Sequence, residues 1–277
     1  MNNEYIYYVN GNWINNKKST IPFSDSGFLY GDGLFETIRF NRKKPFRLNK
    51  HIERLRSGCK TLYLKLNLTD SEIFNIINTI IKKNNVDNGL IRLMITRGSI
   101  SGSPWSYNGD AAVYALIRPF SLDPSLPVKI VYYYEKNYPI IRFNPAIKSM
   151  NYVGNLLAKK DAEKDNAYEP VFINKENFIT ECAIRNIFYI KNNNLITPEL
   201  DLGILPGVMR DTIIEIAKEM NLTVIETKIK KSTIDNMDEA FISSTGIGLY
   251  PCYWDSWKSD YSITKKLRKN LTKILNR

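Results

Sequence analysis

Chemistry in this sequence concentrates in a few side chains suited to work on a carbonyl, an anion and an electron-poor ring. Lys148 lies in PAIKSMNYVGNLLAKKDA, at the end of an irregular segment and just ahead of a helical stretch. An amine that attacks an aldehyde must be deprotonated, so it needs partial burial or a positive neighbour. Ile147, Met150 and Tyr152 offer an apolar setting. Glu181, in ITECAIRNIFYI just before an expected strand, is a carboxylate that could keep a ring nitrogen protonated. Two segments suit a phosphate-like anion: LGILPGVMRDT, where Pro206-Gly207 precede a helix, and SSTGIG at 243–248, with hydroxyls on a flexible backbone. Arg54 could add a planar, permanently charged fork. Gly31-Asp32-Gly33 leads into an aromatic strand whose pleat turns Phe35 and Glu36 to opposite sides. On spacing alone each feature has a plain alternative: one lysine among many, a loop Glu181 paired with Arg185, a Pro-Gly helix start without a ligand, a GDG turn, and Phe35 as core packing.

The elements that must position these groups fall in two halves. In the first, YIYYVNG and NWIN read as strands joined at Asn10-Gly11, GLFETIRF as a third strand, and LIRLMITRG and AAVYALIRPF as two more around the loop GSISGSPWSYNGD. Ile52, Leu55, Cys59 and Leu62 recur at helical intervals after Asn49, the expected cap, and a second helix runs from Ser71 to about Lys83. FSLDPSLP, with two prolines, separates the halves: a small N-terminal domain at 1–119, a linker at 120–127 and a larger domain at 128–277. The second half alternates strands (PVKIVYYY, YEPVFIN, IRNIFYIKN, LITP, LTVIET, EAFISS) with helices at 151–167, at 210–220 and at the C-terminus. The expectation is an α+β chain of two lobes with mostly antiparallel sheets.

Composition excludes several classes. With 43% hydrophobic and 24% charged residues and no apolar run near a membrane span, the chain reads as a globular protein, expected in the cytoplasm with no membrane partner. Three dispersed cysteines and one histidine, His51, give no metal-binding cluster and no ready hydrolase triad. A net charge of +11 would suit nucleic acid, but the cations are scattered or lie on the solvated side of the C-terminal helix, whose Ile263, Leu267, Leu271 and Ile274 are spaced as one apolar face. No nucleic-acid partner is therefore expected, and a non-catalytic basic binding protein remains the remote alternative.

The order of the motifs decides more than any one of them. SDSGFLYGDGLFETIRF, HIERL, IRLMITRG, KSMNYVGNLLAKKDA, ITECAIRNIFYI, LITPELDLGILPGVMRDT and EAFISSTGIGLYPC follow one another as in the class IV aminotransferases, and the resemblance spans roughly Tyr7 to Cys252. It implies the two-domain, D-amino-acid-aminotransferase-like architecture (pyridoxal phosphate fold type IV), with the cofactor between the domains, and a homodimer. It implies that Lys148 forms the Schiff base with pyridoxal 5'-phosphate and that Glu181 faces the pyridine nitrogen. Arg54, the amides after Gly207 at Val208 and Met209, and Thr245 would hold the phosphate, and Tyr152 the phenolic oxygen. Phe35, Arg39, Arg97, Trp105 and Gly246 are candidate substrate contacts. Met209 stands where many relatives carry Thr, and Arg185 where many carry Ser or Thr.

The branch is divided. FETIR and TGIG resemble branched-chain aminotransferases, whose YxRP strand is missing; KSMN resembles D-amino-acid aminotransferases, whose Arg-x-His is missing from the long loop. The compact KSMN spacing, TEC and VMR resemble aminodeoxychorismate lyases. The leading expectation is amino transfer between an amino acid or amine and a 2-oxo acid. The alternative is a 4-amino-4-deoxychorismate lyase releasing pyruvate and 4-aminobenzoate.

Overall fold

The computed structural model describes residues 4–103, 110–120, 124–255 and 257–276. The chain forms two compact units, Met1–Ser121 with Ile147–Asn151, and Leu122–Ala146 with Tyr152–Arg277. The segment carrying Lys148, placed by sequence in the C-terminal half, thus packs with the first unit.

In the first unit, Asn10 and Gly11 take φ of 43° and 96° and close the hairpin of β1 (Ile6–Val9) and β2 (Asn12–Asn15). These are the left-handed conformations that a two-residue hairpin demands. No periodicity announces the five-residue α1 (Ser26–Tyr30), which Asp25 caps by accepting from the amides of Gly27 and Phe28. Next come β3 (Gly33–Asn41), β4 (Lys44–Pro45), α2 (Leu48–Thr61), α3 (Asp70–Asn84), β5 (Gly89–Thr96) and β6 (Ala112–Arg118). Among the described residues they form an antiparallel sheet in the order β2-β1-β6-β5-β3-β4. Alternation along β3 sends Leu34, Glu36, Ile38 and Phe40 to one buried face, on the α2 side, and Phe35, Thr37 and Arg39 to the other. The expected cap Asn49 lies inside α2; Arg47, in a left-handed conformation, precedes the helix and gives no side-chain cap. α3 instead starts with a reciprocal Thr69–Glu72 capping box.

The second unit contains β7 (Val128–Tyr134), α4 (Val153–Lys164), β8 (Glu169–Ile173), β9 (Phe178–Cys182), β10 (Asn186–Lys191), β11 (Asn194–Pro198) and α5 (Val208–Glu219). β12 (Val224–Thr227), β13 (Ile229–Lys230), β14 (Glu239–Ser244), β15 (Gly248–Tyr253) and α6 (Ser262–Leu275) complete it. Its sheet runs β12-β11-β10-β14-β15-β7-β8-β9-β13, with parallel pairs at β11/β12, β15/β7 and β7/β8 and the rest antiparallel. Strand residues such as Val128, Ile130, Val171, Ile187, Tyr189 and Ile242 gather in one apolar core. α6 buries Thr264, Leu267, Leu271 and Leu275 rather than the Ile263–Ile274 stripe read from spacing, a rotation of one residue at each end. Glu181 precedes β10 as expected, but itself lies within a further strand, β9. No helix among the described residues is long and apolar enough to cross a membrane.

Candidate active site

In the first unit Lys148 is fixed by its backbone. Its carbonyl accepts from the amide of Phe35 at 2.9 Å, the amide of Met150 donates to the Gly33 carbonyl at 2.9 Å, and Leu34 bridges Ser149. Residues 148–150 thus lie antiparallel along β3 as a short added strand. A Cβ at Gly33 would sit 2.6 Å from both the Ile95 carbonyl and Met150 Sδ, so only glycine admits this approach. The Lys148 amine stands 4.5 Å from the centroid of the Phe35 ring, and the Arg92 guanidinium lies 4.3 Å from the same ring. The two cations share one aromatic ring, whose face attracts both.

On the opposite face of β3, Glu36 is 1% exposed and binds two side chains of α2. Arg54 donates from Nε to Oε1 at 2.8 Å and from Nη2 to Oε2 at 2.6 Å, and His51 Nδ1 lies 2.7 Å from Oε2. Burial alone would push the Glu36 carboxyl up; the Arg54 charge and the hydrogen bonds of His51 and Arg54 overrule it and hold it at about 2. Burial pulls the His51 pKa down despite its carboxylate partner, with Arg54 and Lys148 pushing the same way. A neutral His51 donates Nδ1–H to the ionised Glu36 and keeps a lone pair on Nε2. That Nε2 is buried and has no hydrogen-bond partner among the described residues.

The second unit offers a carboxylate and an anion cradle. Arg142 donates to Glu181 through Nη1 and to Glu135 through Nη2, and Thr180 Oγ1 donates to Glu135 at 2.7 Å. Burial works against the Arg142 charge, yet Glu181 and Glu135 hold its pKa above the ordinary guanidinium value. One guanidinium between two carboxylates leaves a net negative charge. The second oxygen of Glu181 accepts from the Leu205 amide at 3.2 Å, which ties it to the loop leading into α5. At that helix start no side chain caps the first amides. A Cβ at Gly207 would lie 2.1 Å from Asn186 Oδ1, so glycine lets that side chain pack against the helix start. Ser243, paired across the sheet with Asn186, keeps a buried hydroxyl without a partner among the described residues. Thr245 and Gly246 follow in the turn between β14 and β15. Bare helix amides with an orphaned hydroxyl on a neighbouring strand have the chemistry of a phosphate seat.

Other expected contacts fare differently. Arg39 shares the outer face of β3 with Phe35, but its guanidinium stacks at 4.3 Å from the Phe120 ring and its Nε donates to Asn41. Arg97 grips Asp32 through two nitrogens and donates to the carbonyls of Leu62 and Tyr63, which braces the Gly31–Gly33 turn. Glu181 does not pair with Arg185; that guanidinium goes to Glu169, wholly buried, and to the Tyr168 hydroxyl at 2.9 Å. The Met209 side chain is buried in the first turn of α5, and Tyr152 directly precedes α4. Trp105 lies outside the described residues. The sequence singled out Ser243 within SSTGIG, but Arg142 and Asn186 were passed over and His51 was given no role at the site. Only His51 carried a usable signal, since it stands three residues before Arg54 on one helix face.

Lys148 against an aromatic ring in the first unit, and a carboxylate tied to an uncapped helix start in the second, are groups that pyridoxal phosphate chemistry could use. The chain superposes on a branched-chain aminotransferase from Thermoproteus uzoniensis with a TM-score of 0.91, at 23% identity and covering 99% of this chain and 95% of that one. The sequence profile described as Amino-transferase class IV matches residues 33–253, and the chain belongs to that family. It is 31% identical over 276 residues to a protein of Methanocaldococcus jannaschii provisionally named a branched-chain-amino-acid aminotransferase, covering 96% of this chain and 95% of that one. It is 32% identical over 252 residues to the aminodeoxychorismate lyase of Bacillus subtilis, covering 89% and 85%.

Proposed function

We propose that this chain is a pyridoxal 5'-phosphate-dependent aminotransferase, moving an amino group between an amino acid or amine and a 2-oxo acid, with Lys148 as the residue joined to the cofactor. The setting of Lys148 carries the proposal: an amine over an aromatic ring, with a second cation on that ring and a buried ion-pair network behind the strand. When bound, pyridoxal phosphate supplies an electron sink for charge developing at the substrate α-carbon. Lys148 takes the α-proton on its Nζ and returns it to the product side. Glu181, held by Arg142, would face the ring nitrogen and keep a proton there. Arg54, the amides of Val208 and Met209 after Gly207, and Thr245 would hold the phosphate, and Tyr152 the phenolic oxygen. Arg54 can do so only with what Glu36 leaves it, since two of its nitrogens already bind that carboxylate. Phe35 and Gly246 remain as substrate contacts. Arg97 and Arg39 have the other partners described above.

A lyase acting on aminodeoxychorismate is the second reading, favoured by the TEC and VMR blocks and by 32% identity to the Bacillus subtilis enzyme. The working form is proposed to be a homodimer. Phe23, Phe28, Leu29 and Tyr30 in the first unit and Val153, Leu156 and Leu157 in the second are exposed apolar side chains of the kind a subunit interface covers.

Borohydride reduction followed by peptide mapping should place the cofactor on Lys148; a label on another lysine overturns the assignment. An amino-donor screen with 2-oxoglutarate, run beside a 4-aminobenzoate assay, separates the two reactions. Light scattering tests the dimer.

A further inference from the structure

The second unit holds a cavity of about 590 Å³ that none of the chemistry above uses. Its apolar wall comes from Leu126, Pro127 and Pro251, with the Tyr253 ring beside them. Three cations line it: Lys258, with its amine 5.2 Å from the Tyr253 ring centroid, and Lys265 and Arg268, three residues apart on α6. Among the described residues none of the three pairs with a carboxylate. The single carboxylate on the lining, Asp260, makes no ion pair either. The lining therefore carries three positive charges against one negative.

The start of α6 does not explain this surplus. Glu239, 5% exposed, already caps it, accepting from the amides of Ile263 at 2.8 Å and Thr264 at 2.7 Å and from the Ser262 hydroxyl at 3.2 Å. Thr264 also lines the cavity; it is wholly buried, and its hydroxyl oxygen has no hydrogen-bond partner among the described residues. A buried hydroxyl without a partner is costly, and three converging cations repel one another, so the wall is built at a cost that a bound anion would offset. Size and lining together suit a ligand with a flat or ring-shaped body against Tyr253 and the prolines and a multiply charged anionic end toward Lys265 and Arg268.

We propose that this cavity binds a small organic anion of two or more negative charges, best met by a phosphate monoester on an aromatic body. The site is independent of the cofactor seat, and the proposal stands whether the enzyme is a transaminase or a lyase.

The test is calorimetric titration of the holoenzyme, saturated with pyridoxal phosphate, at low salt with adenosine monophosphate, citrate and adenosine. The double variant Lys265→Gln/Arg268→Gln removes two cavity cations. Lys266→Gln/Lys273→Gln removes the same charge from positions of α6 that do not line the cavity. Adenosine monophosphate should bind, adenosine should not, and the cavity variant should weaken binding about tenfold or more while the control variant stays within about twofold. Citrate binding with the same variant dependence makes charge, rather than the ring, the recognised feature. Turnover without added anion should be the same in both variants. The proposal is overturned if neither anion binds the unaltered protein, or if the two variants lose affinity equally, since the effect would then be diffuse surface charge.

Discussion

The two units each pair an arginine with a carboxylate near a residue assigned to chemistry, yet they do so to different ends. In the first, Glu36 is 1% exposed, binds Arg54 through two hydrogen bonds and His51 through a third, and the cluster is neutral overall. In the second, the side chains of Glu181 and Arg142 are 16% and 24% exposed, and Arg142 serves Glu135 as well, so a negative charge is left over. A sealed, balanced cluster holds a framework rigid, whereas an open, unbalanced one presents charge to something else. Substitutions should separate the two: stability from the first, activity from the second.

Lys148→Ala is expected to have the largest effect, a loss of turnover of about a thousandfold or more together with loss of the borohydride-trapped adduct. Glu36→Gln should come next, and in stability: it removes the buried negative charge that Arg54 and His51 are set against, a penalty of roughly 3–5 kcal/mol read by chemical denaturation. If Glu36→Gln unfolds no more easily than the parent, the cluster does not hold the framework. Glu181→Gln should lower turnover about a hundredfold, while its denaturation midpoint moves far less than that of Glu36→Gln. Equal stability losses would erase the contrast.

Acid should act through the first cluster. Glu36 has a folded pKa of about 2 against an ordinary 4.5, so below about 4.5 the unfolded chain takes up its proton first and stability falls as pH drops toward 2. His51, lowered from 6.5, has the same sign and begins at higher pH, because the unfolded imidazole protonates while the buried one stays neutral. Denaturation curves from pH 7 to 3 should show this loss, and Glu36→Gln should flatten its part below pH 4.5. The smallest effect is expected from Arg39→Gln, within about twofold in turnover, since its guanidinium is taken up by Phe120 and Asn41.

Local pattern made the frame legible. Alternation marked β3, Asn10-Gly11 marked the first hairpin, and apolar spacing marked α2. It failed where geometry is not periodic: α1 is too short for a period to show, and α6 is turned because Thr264 and Leu275, rather than Ile263 and Ile274, are buried. For the site, ordered motifs singled out Lys148 and Glu181 but not what holds them. Arg142 lies 39 residues from Glu181 along the chain, and no spacing rule reaches that far. Glu36 and Arg54 were both noticed, but their union depends on α2 packing beneath β3, a tertiary fact.

The five residues Ile147–Asn151 give the fold an unusual dependency. A gene fragment stopped at Ser121 would encode nearly all of the first unit and still lack its last strand, leaving the Phe35 amide and the Gly33 carbonyl without their partners. Lys148 is thus stitched into the N-terminal sheet by chain synthesised later, so that sheet cannot be finished until the ribosome has passed residue 151.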